Sequence, residues 1–156
     1  MARFLLCYQF LFALNNTNFG KICQSQKKHE GNQMKIIITA VSDNIDQAFN
    51  PRFGRSDYFI LVDTETKDWE AFQNPAANAP GGAGPQAVQF IADKGVNAVI
   101  SGRFGPSAFT ALNAAGIEAF IAKQGSVNEV LEQYLADDLE SVNAPTGKSL
   151  HGAELR

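Results

Sequence analysis

From Met34 to the end the chain has no cysteine; Cys7 and Cys23 both lie in the first 33 residues. Histidine is nearly as scarce, with His29 upstream and His151 near the C-terminus. A thiolate zinc site and a cysteine-ligated iron–sulfur cluster are thereby excluded from the region after Met34. A cysteine–histidine nucleophile pair is excluded as well. Ser42, Ser56, Ser101 and Ser107 find no histidine partner in the body of the domain, so no catalytic constellation remains and the chain is expected not to be an enzyme. Basic residues are also few. Of 13 lysines and arginines, Arg3, Lys21, Lys27 and Lys28 precede Met34, against Glu30 alone of the 16 acids, so nine bases face fifteen acids in the remainder. That balance gives nucleic acid no bulk attraction, and none is expected as a partner. The apolar run Phe4 to Leu14 is too short to span a bilayer, so no membrane partner is expected either.

What is present reads as one domain with an unrelated leader. A length of 156 residues, with 45% hydrophobic and 19% charged residues, suits a single globular core. Residues 1–33 combine the short apolar run with the polar stretch Gln24 to Gln33. Met34-Lys35-Ile36-Ile37-Ile38 then opens directly into a strand pattern. Met34 is therefore read as the functional start and residues 1–33 as a misassigned upstream extension, with a signal-like export segment as the alternative. The domain is expected over residues 34–138 and a frayed polar tail over 139–156. A cytoplasmic location is expected.

From Met34 the pattern alternates. Lys35 to Val41 is a β-branched run fit for a buried strand, Asp57 to Asp63 is a second strand, and Asp68 to Gln73 alternates like an edge strand. Helices are expected over Pro85 to Lys94, over Pro106 to Ala115 and after Ser126, where Glu129 completes a capping box. Between them Asn97 to Ser101 and Ile117 to Ala122 read as short strands. The order β-β-β-α-β-α-β-α implies an α/β domain. Its mixed five-stranded sheet pairs an antiparallel meander with right-handed parallel crossovers, and helices cover both faces. Ligands of such sheets bind beyond the carboxyl ends of the strands, where the strand order switches.

Three glycine-bearing segments converge on that edge. Gly81-Gly82-Ala83-Gly84-Pro85 precedes a helix, and its glycines permit positive φ and close approach of another group to the main chain. Asn50-Pro51-Arg52-Phe53-Gly54-Arg55-Ser56 places two arginines around a glycine. Ser101-Gly102-Arg103-Phe104-Gly105-Pro106-Ser107 repeats the theme. Each arginine alone is expected in a surface salt bridge. Three together, beside two glycine–proline helix starts, point to an anionic ligand held by guanidinium forks and main-chain N–H groups.

These residues resemble the dinitrogenase iron–molybdenum cofactor biosynthesis family over nearly all of the domain. The resemblance rests on the opening strand from Met34, on Phe53-Gly54-Arg55, and on Asn74-Pro75 leading to Gly81 through Ala87. It rests also on Gly102 through Phe109 and on Ala115-Gly116-Ile117. It implies a ribonuclease H-like three-layer fold. It implies binding or carrying an iron–molybdenum or other molybdenum/iron–sulfur cluster, or a precursor, between donor and acceptor proteins during cofactor assembly. The family often has histidine just before Phe-Gly-Arg, where this chain has Arg52. Without that histidine and without cysteine, the resemblance implies outer-sphere binding of a pre-formed anionic cluster. The residues expected at the site are Arg52, Phe53, Gly54, Arg55, Gly81, Gly82, Gly84, Gly102, Arg103, Gly105 and Ser107, with no protein–metal ligand. Two other readings stay open: a phosphate- or nucleotide-binding regulatory domain, and an interaction module docking through Trp69 and Phe72. A nuclease, the reading that a ribonuclease H-like shape invites, is not expected. Asp43 and Asp46 look like turn formers, and Asp63 ends its strand away from Arg55.

Overall fold

A computed structural model describes residues 34–147. The expectations for residues 1–33, and for the last nine residues of the tail, lie outside the described residues.

The centre of the molecule is β1, Lys35–Ala40. Its Ile36, Ile37 and Ile38 are all fully buried, because both faces of the sheet are covered and successive side chains point to opposite faces. β2 (Tyr58–Asp63) lies antiparallel to β1, with Ile37 opposite Leu61, and β3 (Trp69–Gln73) lies antiparallel to β2. On the other side of β1, β4 (Ala98–Ser101) is parallel to it, and β5 (Glu118–Ile121) is parallel to β4.

The helices divide between the faces. α1 (Ala83–Ala92) and α2 (Pro106–Ala115) share one core with Ile37, Phe59 and Val99, through Ala87, Val88, Ile91, Phe109 and Leu112. α3 (Val127–Leu135) packs Val127, Val130 and Leu131 on the opposite face, against Ile36, Ile38, Ile60 and Ile100. The expected capping box is formed. The Ser126 hydroxyl accepts from the Glu129 N–H at 3.2 Å, and the Glu129 carboxylate accepts from the Ser126 N–H at 2.8 Å. Ser126→Ala should therefore lower stability by about 1 kcal/mol, read as a shift in the urea midpoint at unchanged slope.

Two expectations need correction. With β6 (Glu140–Ser141) the sheet has six strands, in the order β3-β2-β1-β4-β5-β6, not five. The sixth is antiparallel to β5 and comes from the segment expected to fray. Residues 140–147 are thus part of the fold. The helix expected from Pro85 begins two residues earlier, at Ala83, with Gly82 as its N-cap at φ +66°. Pro85 still sits in the first turn, where a missing N–H leaves no helical bond unmade. Among the described residues no helix is long and apolar enough to cross a membrane.

Candidate functional site

Beyond the carboxyl ends of β1 and β4 the chain makes two similar hooks, each reading Arg-Phe-Gly. In Arg52-Phe53-Gly54 and Arg103-Phe104-Gly105 the phenylalanines are buried and their rings lie 5.4 Å apart. Phe53 also contacts Phe59 at 5.9 Å. Arg52 is extended, and it pairs with Arg103 through a parallel backbone bridge. Neighbours along an extended chain point to opposite sides. Anchoring the rings inward therefore turns both guanidinium groups toward solvent, and Arg52 and Arg103 are both exposed.

Glycine makes this juxtaposition sterically feasible. A Cβ on Gly102 would stand 2.5 Å from Pro51 Cβ, and one on Gly54 would stand 2.8 Å from the Gly84 nitrogen. Gly84 in turn faces Ala108, where an added Cβ would come within 2.8 Å of a methyl. The contacts run from the 3-10 turn Phe53–Arg55 through the start of α1 to the start of α2.

Buried polar groups brace the hooks. The Asn50 N–H donates to the Thr39 carbonyl at 2.9 Å, while the Thr39 hydroxyl donates to the Asn50 carbonyl. Asn50 Oδ1 accepts from the Arg52 N–H at 3.0 Å, and Asn50 Nδ2 donates to Asp57 Oδ2 at 3.4 Å. From the other side, Asn74 Nδ2 donates to the carbonyls of Ser56 at 2.8 Å and Gly54 at 3.3 Å. Asn74 Oδ1 accepts from the Ala76 N–H at 2.9 Å. Arg55 Nη1 donates to the Ala77 carbonyl at 3.1 Å, tying the loop before α1 to the first hook.

The hooks form the wall of an open cleft of about 1010 Å³. Of the residues expected at a site, Arg52, Phe53, Gly54, Arg55, Arg103 and Gly105 line it. Gly81, Gly82, Gly84, Gly102 and Ser107 are not in its lining. Gly84 and Gly102 are taken up by chain packing, Gly82 by its helix-capping turn, and Gly81 and Ser107 are exposed elsewhere. Within the glycine run it is Gly84 that permits the close approach of α1 to its neighbours. Sequence reasoning missed Asp57, Ala77, Asn78, Thr146 and Gly147, which also line the cleft.

Three arginines and one carboxylate make the lining cationic within an acidic domain. Among the described residues no carboxylate lies within ion-pair distance of Arg52, Arg55 or Arg103, and the one ion pair there is Lys67 with Glu132 at 3.3 Å. The salt bridges expected for the single arginines are therefore not formed among these residues. The described residues also contain no group of three histidine, cysteine or acidic side chains placed to hold a metal ion. The donor set suits an anion bound through hydrogen bonds and charge, not a bare cation.

The family model for dinitrogenase iron-molybdenum cofactor matches residues 34–137. The chain belongs to this family. An uncharacterised protein of Methanocaldococcus jannaschii is 32% identical over 111 residues, covering 69% of this chain and 94% of its own length. The apo form of the orange protein from Desulfovibrio gigas superposes with a TM-score of 0.71 at 32% identity, covering 74% of this chain and 98% of that one. A NifB-like protein from Thermotoga gives 0.67 at 32% identity, over 74% and 99% of the two chains. The dinitrogenase iron-molybdenum cofactor family match includes both Arg-Phe-Gly hooks and stops short of Thr146 and Gly147.

Proposed function

We propose that this chain is a non-catalytic carrier that holds an anionic metal–sulfur cluster, or a precursor of one, in iron–molybdenum cofactor-type assembly. The observation that carries the reading is the convergence of Arg52, Arg55 and Arg103 on one cleft, with no carboxylate partner among the described residues. Guanidinium forks suit anions with several acceptor atoms on one face. A pre-formed cluster brings its own sulfides, so the protein needs to supply charge and hydrogen bonds but no thiolate. Family membership supports the reading. So does the orange protein, a relative solved in an apo form and named for a colour. The cluster is cargo here: it arrives from a donor protein and leaves to an acceptor protein, and an open, solvent-facing cleft suits that exchange in the cytoplasm.

The test is anaerobic. The full-length protein is mixed with tetrathiomolybdate, or with isolated iron–molybdenum cluster, then desalted and analysed for metal. Molybdenum should comigrate with the protein and give it visible absorbance. No comigrating metal from either source would sink the reading. Thermal stabilisation by nucleotides with no retained metal would instead favour a phosphate-binding regulator, because the same arginines accept phosphate.

A further inference from the structure

The cleft has one wall that the Arg-Phe-Gly hooks do not supply. After β6 the chain runs on beside β5, with the Val142 N–H donating to the Ala119 carbonyl at 2.8 Å, and then reaches Phe104. There it forms a strap. The N–H groups of Thr146 and Gly147 donate to the Phe104 carbonyl at 3.1 and 2.9 Å, and the Phe104 N–H donates to the Thr146 hydroxyl at 2.9 Å. Both polar backbone groups of Phe104 are therefore held by the strap, so the second hook is tied to the C-terminal segment. Gly147 permits the close fit: a Cβ there would lie 3.2 Å from the Phe104 carbonyl oxygen.

The Thr146 hydroxyl has one proton and two acceptor lone pairs. Its acceptor role is used by Phe104, while its proton has no hydrogen-bond acceptor among the described residues. Thr146 lines the same cleft as Arg52 and Arg103. A hydroxyl fixed by an incoming N–H, with its own proton uncommitted in a cleft that arginines also line, is a donor suited to an anion. We propose that Thr146 is a ligand-contacting residue: its hydroxyl donates to the oxo- or thiometallate anion in the cleft, and the strap is the wall that helps retain it. This rests on the carrier reading above and adds a contact beyond residue 137, where the family match ends.

Two near-isosteric variants separate a donor from a mere brace. Thr146→Asn keeps an acceptor for the Phe104 N–H and keeps a donor. Thr146→Asp keeps the acceptor, has no donor when ionised, and faces the anion with negative charge. Retention of tetrathiomolybdate is titrated for both variants and for the unaltered protein, with hydrogen exchange at the Phe104 amide as the readout of the strap. The asparagine variant should bind within about threefold of the unaltered protein. The aspartate variant should bind at least about tenfold more weakly, with Phe104 protected in both. Equal binding by both variants, whether undiminished or equally lost, overturns the assignment. A weak aspartate variant whose Phe104 amide has lost protection also overturns it, since the strap would then have been acting only as a brace. If both variants fail while the unaltered protein retains molybdenum, the carrier reading survives without this contact. If the unaltered protein retains none, both fall.

Discussion

Changing Arg52 and Arg103 together to glutamine is expected to weaken tetrathiomolybdate retention by about a hundredfold while leaving the fold intact. The two side chains are exposed and stand on adjacent hooks joined by a backbone bridge, so both can reach one ligand. A hydrogen bond to a charged partner contributes roughly 1.5 kcal/mol even at the weak end of its range, and each 1.4 kcal/mol is about tenfold in affinity. Glutamine retains an N–H donor but not the charge or the fork, so the loss reports on both. Stability should move by no more than about 0.5 kcal/mol, because neither guanidinium has an ion-pair partner among the described residues. Arg55 is spared deliberately, since its guanidinium also holds the Ala77 carbonyl and its removal would loosen the loop before α1. Lysine at the same two positions should recover part of the affinity, because it restores charge without the planar fork. Retention should also weaken as salt rises from low to physiological concentration, as for any exposed charge interaction. Isothermal titration under anaerobic conditions, beside urea unfolding of the same samples, separates the two effects. Undiminished binding by the double glutamine variant would remove the arginine cleft from consideration.

The parts of this fold that were legible in the sequence are those where one physical demand dominates. Ile36, Ile37 and Ile38 read as a buried strand because only a sheet covered on both faces makes an unbroken β-branched run favourable. Ser126 and Glu129 read as a helix start because their three-residue spacing matches two reciprocal hydrogen bonds. β6 was not legible. Glu140 and Ser141 are polar, only two residues long, and sit in the sheet through backbone bonding to Phe120 and Ile121, which leaves no side-chain period to detect.

The site divides in the same way. The repeated Arg-Phe-Gly hooks stand out because they and the adjoining Arg55 hold three of the nine basic residues that follow Met34 in an acidic domain. Thr146 carried no signal, since its contact with Phe104 spans 42 residues and a single threonine has no pattern. Asp57 looked like any of the other acids. The glycine run was ambiguous for a physical reason. A missing Cβ permits the approach of a ligand and the approach of another segment of chain equally well, and only the neighbours at Gly84 decide between them.

That ambiguity yields an ordered set of expected stabilities. Gly102→Ala should be the most damaging single methyl in the domain. The new carbon would lie 2.5 Å from Pro51 Cβ and 2.8 Å from Pro51 Cα, so relief requires the two hooks to move apart. Overpacking of this kind costs about 1–3 kcal/mol, or a fall of about 3–10 °C in Tm for a domain of this size. Retention of tetrathiomolybdate should fall as well, because the shift separates Arg52 from Arg103. Gly84→Ala should cost less, since the clash at 2.8 Å is with the Ala108 methyl at the start of α2 and two helix ends can part slightly. Gly81→Ala should be nearly silent in stability, within about 0.5 kcal/mol, because nothing lies within 4 Å of its added carbon and its φ is not positive. Gly81 also stands outside the cleft lining, so metal retention should be unchanged. The contrast decides what the glycine run does. A main-chain cradle around Gly81 to Gly84 would make Gly81→Ala lose ligand at full stability, whereas chain packing makes Gly84→Ala lose stability and leaves Gly81→Ala indistinguishable from the unaltered protein in both measurements.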